Sequence, residues 1–538
     1  MHILRKLYRG RAAGTSQLAP QPGRDQIANS AGGYVYAVDD WARVERFLIL
    51  GSEGGTYYAS ERALTLDNAQ HLARMVREHG STVVERTIAL STAGRAPKVS
   101  PAIFALAMCA GFGDDATRRL ALGRGLQSVC RTGSHLLEFA SYIEQFRGWG
   151  RGLRSGIRDW YENKPVGELA YQFVKYQSRF GFTHRDLMRL AHPVALDEAR
   201  RALYAWVVRG TRPGDVPELG IVNAFESAKA TAESDLNACV TLVRESGLPR
   251  EAIPTAWLRE PAVWAELLVT MPMTATIRNL ATMTRVGLLT PKSPETRLVI
   301  ERLRDRERLR RARVHPIALL AALETYGSGR SARGDAIWKP VDAIVEALDE
   351  AFYLAFDLLE PTGARTLVAL DVSASMASGA IAAIPGLTPR VAAAALAMTH
   401  LRSDERVCVM AFSDRFVELP LRRDERLSAV MKRTAGLPFQ ATDCALPMLY
   451  ALEQRLAVDA FVIYTDNETW AGAIHPGEAL RRYRERTGIP AKLVTAGLTS
   501  TGFSIADPND AGMLDVVGFD MSAPAVIAGF AKTERNVP

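Results

Sequence analysis

The chain has 538 residues, 48% of them hydrophobic and 23% charged, with a formal net charge of +7; this composition leaves room for two or three cored domains and excludes a disordered or collagen-like chain. Five cysteines (Cys109, Cys130, Cys239, Cys408 and Cys444) are odd in number and scattered, with no Cys-x-x-Cys pair, which excludes a disulfide scaffold and points to a reducing, cytoplasmic setting. The basic start from Met1 to Gly10 lacks the apolar core of a secretory signal, and no eighteen-residue apolar span occurs, so membrane insertion is not expected.

In chain order, residues 1–33 read as a mobile N-terminal arm, since 11 to 33 are rich in Gly, Ala, Gln and Ser. Residues 34–360 are repeatedly helical in pattern. Leu66, Ala69, Leu72, Ala73 and Val76 predict one helix face, and Pro101 opens an almost wholly apolar helix from Ala102 to Met108. Breakers such as Gly111-Phe112-Gly113, Lys164-Pro165, His192-Pro193 and Thr290-Pro291 recur every fifteen to twenty residues. Serial helix pairs of this kind predict an α-solenoid.

Charge is uneven along that region. From Arg118 to Arg189 there are thirteen Lys/Arg against six Asp/Glu, a surplus equal to the net charge of the whole chain. Nine aromatic residues from Phe146 to Phe182 interleave with these cations, a mixture that suits RNA through phosphate neutralisation and base stacking, although from these residues alone a solvated basic face over an aromatic core fits slightly better. Arg147, Arg151, Arg154 and Arg158 form one stripe if the glycines among them are helical, or a loop if they are not. Arg297 to Arg313, with Glu301, Asp305 and Glu307 interspersed, reads as one solvated helix.

After Pro361-Thr362-Gly363 the pattern changes. Apolar runs predict strands at Thr366 to Leu370, Val407 to Phe412, Ala460 to Thr465, Lys492 to Leu498 and Val516 to Phe519, with helices between them. This is a doubly wound α/β domain, placed at 361–538. Its first strand ends in Asp371-Val372-Ser373-Ala374-Ser375, a cluster of oxygen ligands where open α/β sheets bind theirs. Mg²⁺ prefers such ligands and takes only one or two carboxylates from a protein. Thr442 and the strand-terminal Asp466 follow in order, and the set Asp371, Ser373, Ser375, Thr442 and Asp466 resembles the metal-ion-dependent adhesion site (MIDAS) of von Willebrand factor A domains. A phosphohydrolase reading is weaker, because Ser373 stands where an Asp-x-Asp enzyme has its second acid.

A helical first half joined to such an A domain resembles the Ro ribonucleoprotein autoantigen family, whose first half is the TROVE domain. The matching stretches are Gly51 to Tyr58, His184 to Pro193, Met271 to Leu280, Thr442-Asp443-Cys444 and Ile505 to Pro508. The resemblance implies a ring of HEAT-like helical repeats plus a doubly wound A domain, with Y RNAs on the outer surface and single-stranded 3′ ends of misfolded noncoding RNAs in a central hole. It carries RNA contact over to Lys175, Arg179 and His192, and Lys175 and Arg179 are spaced for one helical face. Phe439-Gln440-Ala441 stands where the family commonly has Gly-Gly, leaving open whether Thr442 meets metal directly or through water.

Together these readings give a cytoplasmic, monomeric RNA-binding protein of RNA quality control, not an enzyme, with Mg²⁺ in the A domain and a 3′ exoribonuclease as a partner. The competing reading is an intracellular protein-binding scaffold that captures a carboxylate through the A-domain metal.

Overall fold

The computed structural model describes residues 14–52, 61–331, 335–356, 361–378, 381, 387–435, 437, 441–520 and 522–532. Most of the Gly51 to Tyr58 match and the Phe439-Gln440 departure lie outside them. The first part is a succession of helices from Asp40–Leu50 to Asp342–Leu354. Apolar stripes meet pairwise in a continuous core, in which Ser100–Phe112 is buried along most of its length because it is apolar all round. Leu66 is 57% exposed, whereas Leu64, Leu72, Met75 and Val76 are buried. The buried face of that helix is therefore turned from the expected one. The basic run after Arg297 is two helices, Pro294–Arg304 and Arg306–Arg311, split at Asp305, whose side chain caps the second by accepting from Arg308 N at 2.9 Å.

The second part is a six-stranded sheet in the order Met513–Val517, Lys492–Gly497, Ala460–Thr465, Thr366–Asp371, Val407–Phe412, Phe416–Glu418. Its first five strands pair in parallel, and only Phe416–Glu418 runs antiparallel. The central strands are buried on both faces, as crossover helices require. The last strand begins earlier than Val516, and Asp515 lies in its interior because Arg46 of the first helix pairs with it. As expected, Thr388 caps Pro389–Ser403.

The helical array closes into a ring on the α/β domain. At its start, Arg46 is fully buried and donates to the carbonyls of Thr501 and Phe503, each at 3.0 Å. At its far end, Asp349 accepts from Leu427 N at 2.8 Å, and Glu346 pairs with Arg426.

Residues 14–33 are seated on the α/β domain, which corrects their reading as a mobile arm. Gln17 is fully buried; its amide donates to Asp443 Oδ1 and to the Ile474 carbonyl, both at 2.8 Å, and accepts from Thr469 Oγ1 at 2.5 Å. Asn29 donates to the Thr469 carbonyl at 2.9 Å. Gly33 passes so close that a Cβ there would overlap Thr469. Tyr34–Ala37 then adds antiparallel to Phe503–Ser504. Polar side chains fix this segment, which an apolar-periodicity reading does not register.

Candidate metal centre and nucleic-acid interface

Four of the five candidate oxygen-bearing residues, Asp371, Ser373, Ser375 and Asp466, meet at the carboxyl end of the α/β sheet. Asp371 closes its strand and is fully buried; Oδ1 accepts from Ser373 N at 2.9 Å and Oδ2 from Thr465 Oγ1 at 2.7 Å. Ser373 and Ser375 hydroxyls lie 3.0 Å apart, and Ser375 hydrogen-bonds the Asp466 carboxylate. The turn that aims these groups is held by Arg390, which donates to the Val372 and Ser373 carbonyls at 2.7 and 2.8 Å. Thr442 is fully buried, and among the described residues its hydroxyl has no hydrogen-bond partner, although its carbonyl accepts from Trp470 N and Ala471 N.

The electrostatics of this pocket are those of crowded anions. Burial, and then the negative charge of Asp466, pushes Asp371 up to about 7, and burial raises Asp466 as well. Glu468 is also fully buried and is pushed up to about 8 by burial and by Asp466. Oxygen ligands, mutually repelling carboxylates and an unpartnered hydroxyl together fit a hard divalent cation. The sequence reading missed Thr465 and Glu468, although both lie within two residues of Asp466.

The three proposed RNA residues lie in one stretch of chain but not on one helix. Helix Val166–Lys175 ends at Lys175, because Tyr176 leaves helical backbone at φ −119° and ψ 57°. Arg179 instead belongs to a hairpin in which Ser178–Arg179 pairs with Phe182–Thr183, so the shared helical face is not present. At the hairpin tip Phe180 and Gly181 both have positive φ, 53° and 81°, as a tight two-residue hairpin turn needs. Phe180 is 53% exposed, and a non-glycine residue held at a left-handed position carries a backbone cost. Lys175 Nζ sits 5.4 Å from the Tyr171 ring and 5.5 Å from that of Tyr176.

His192 is exposed at the left-handed end of helix His184–Ala191, whose eight residues put it about 12 Å beyond the hairpin. His184, by contrast, is buried, bonded to Tyr161 OH at 2.9 Å and pushed down to about 3 by burial. Trp160, Tyr161 and Phe173 are core residues, so they cannot stack on bases. The arginine stripe is also divided. Arg151, Arg154 and Arg158 lie on helix Arg151–Glu162, whereas Arg147 ends the preceding helix; Arg118, Arg119, Arg147 and Arg151 line a groove of about 410 Å³.

The TROVE domain model matches residues 27–212 and 245–326, and the Ro60 vWA domain model matches residues 365–531. The chain belongs to the Ro60 family. It is similar to the RNA-binding protein RO60 of Deinococcus radiodurans, 42% identical over 511 residues, which covers 95% of this chain and 96% of that protein. The RNA-binding protein RO60 of Caenorhabditis elegans is 38% identical over 581 residues, covering 94% and 90%. The crystal structure of the Deinococcus radiodurans RO (RSR) protein superposes with a TM-score of 0.71 at 41% identity, covering 92% of this chain and 99% of that one. Within the Ro60 family frame, the candidate metal-site residues belong to the vWA part, and Lys175, Arg179 and His192 belong to the TROVE part. No helix among the described residues is long and apolar enough to cross a membrane.

Proposed function

We propose that this chain holds noncoding RNA by charge and shape, without covalent chemistry. The observation that carries the reading is its near end-to-end likeness to two proteins named for RNA binding. Y RNA lies along the outer surface, with phosphates at Lys175, Arg179 and His192 and a base against the exposed Phe180 ring. Single-stranded 3′ ends of misfolded RNAs enter the ring's opening, which a closed duplex cannot thread. The chain thereby acts in RNA quality control as a cytoplasmic monomer and as an adaptor for a 3′ exoribonuclease.

In the A domain, Asp371, Ser373, Ser375 and Asp466 hold Mg²⁺, with Thr442 contributing directly or through water. The ion neutralises the crowded carboxylates and offers an acidic group on a partner protein a place to bind. A second reading, a metal-dependent protein-binding scaffold, draws on the same orphan Thr442 hydroxyl. A gel-shift titration of the full chain with a structured noncoding RNA tests the first reading; absence of any shift at low salt contradicts it and leaves the scaffold.

A further inference from the structure

Where the first helices of the helical array meet helices Met273–Arg285 and Pro316–Gly327, the surface holds a cavity of about 650 Å³, within the range of small-molecule sites. Its walls come from helix Asp40–Leu50, the end of Glu61–Ala93 and the link that follows, helix Met273–Arg285, and the segment from Arg313 into helix Pro316–Gly327. Most of the lining is apolar, including Leu48, Val99, Ile277 and Leu280. The charged residues in the wall are Lys98, Arg131, Arg278 and Arg313, with no Asp or Glu among them.

Among the described residues, Arg131, Arg278 and Arg313 pair with no carboxylate. Among the described residues, the Arg278 and Arg313 guanidinium groups have neither a carboxylate nor a hydrogen-bond partner. Arg131 donates, among the described residues, only to uncharged oxygens, the Ser91 carbonyl and hydroxyl and the Ser128 carbonyl, at 2.9 to 3.2 Å. Burial, and next the charge of Arg313, pushes Arg131 below its ordinary range, so the two cations repel one another. Two further polar wall groups are already committed. His315 uses both ring nitrogens, and Tyr326 OH is bonded to Thr284 Oγ1 and Val341 N.

Like charges around an apolar hollow are relieved by an anion, and guanidinium forks match phosphate oxygens in pairs. Inorganic phosphate alone would leave the apolar wall unused, whereas a flat heterocycle would cover it. We propose that this seam cavity binds a nucleoside phosphate, with the phosphate on Arg131, Arg278 and Arg313 and the base against the apolar wall. Two sources supply that chemistry: a free mononucleotide, or the phosphorylated terminal residue of an RNA strand. The second source rests on the RNA-binding reading, and the first does not.

The test uses the full chain and isothermal titration with AMP, adenosine, inorganic phosphate and a short 3′-phosphorylated single-stranded oligonucleotide. AMP is expected to bind at least about tenfold more tightly than adenosine, the loss one charge-assisted contact represents. Arg278→Gln and Arg313→Gln, both exposed changes that spare the core, are expected to weaken AMP about tenfold, while Arg179→Gln on the outer hairpin leaves it unchanged. Binding of the oligonucleotide but not of AMP assigns the site to a strand end and supports the proposal. Phosphate binding as tightly as AMP overturns the nucleoside part. AMP and oligonucleotide affinities that are both absent, or both indifferent to the two substitutions, overturn the site. Structured RNA binding by Arg278→Gln, followed in parallel, separates that failure from failure of the RNA-binding reading.

Discussion

His315 Nε2 donates to the carbonyl of Arg95 at 3.0 Å, while His315 Nδ1 accepts from Ile317 N at 3.1 Å. One nitrogen donates and the other accepts, so the geometry demands a neutral ring. The bond joins residues 220 apart in sequence and closes the helical array where its last helices return to its first. Arg95 in turn pairs with Asp520 of the A domain, so helical ring and α/β domain are closed at one point.

The first prediction concerns pH. Burial pushes His315 down to about 4, and His135 and His400 are also pushed down to about 4. A histidine with its folded value depressed takes up a proton in the unfolded state first. Stability is therefore intact above the unfolded value of about 6.5 and falls as pH drops toward the folded value, by up to about 1.4 kcal/mol per pH unit per residue. Urea midpoints at pH 7.5 and pH 5 are expected to show this loss, and His315→Gln to reduce it; equal sensitivity in both proteins contradicts the role given to His315.

The second concerns the metal centre. Asp371, pushed up to about 7, is protonated in the metal-free fold at acid pH. Its contribution to stability is present below the unfolded value of about 4 and lost as pH rises through the folded one. Mg²⁺ requires the carboxylates ionised, so the rise in melting temperature on adding Mg²⁺ is expected to grow between pH 5 and pH 8. Asp371→Ala is expected to abolish it. A constant rise across that range, or one surviving in Asp371→Ala, removes the ion from this site.

The N-terminal segment supplies a third. Among the described residues, Gln17→Ala leaves Asp443 Oδ1 with only Ala445 N as a donor and removes a donor to the Ile474 carbonyl, a loss of about 1–3 kcal/mol for buried groups. Because Gln17 braces the loops that carry Thr442 and Asp466, Mg²⁺ affinity is expected to fall along with the melting temperature. Unchanged affinity would mean that the segment supports the fold alone.

What was legible in the sequence was local chemistry. Asp371, Ser373 and Ser375 follow an apolar run directly, so the strand and the oxygen-bearing cluster at its end announce each other, and the strand before Asp466 repeats the device. What was not legible depends on partners far away or elements too short for a period. Asp515 looks like a strand breaker until Arg46 is beside it, and nothing near Gln17 says that it is bound 426 residues away at Asp443. The hairpin at Ser178–Arg179 and Phe182–Thr183 has two residues a side, too few for alternation to register, so Lys175 and Arg179 looked like one helical turn.

A fourth prediction follows from that hairpin. Phe180→Ala removes an exposed ring without opening a cavity, so fold stability is expected to change little. RNA affinity is expected to drop by about 1–3 kcal/mol, the worth of one base stacked on an aromatic ring. A filter-binding assay checks it; full affinity in the variant places the RNA elsewhere.

The most direct test of the central claim is the dependence of RNA affinity on salt, measured on the full chain between about 50 and about 200 mM. The account expects a steep linear fall of log affinity with log salt, RNA recovered intact, and a slope shallower by about two in a Lys175→Gln, Arg179→Gln double variant. A slope that the double variant leaves unchanged, or RNA returned cleaved, would contradict it.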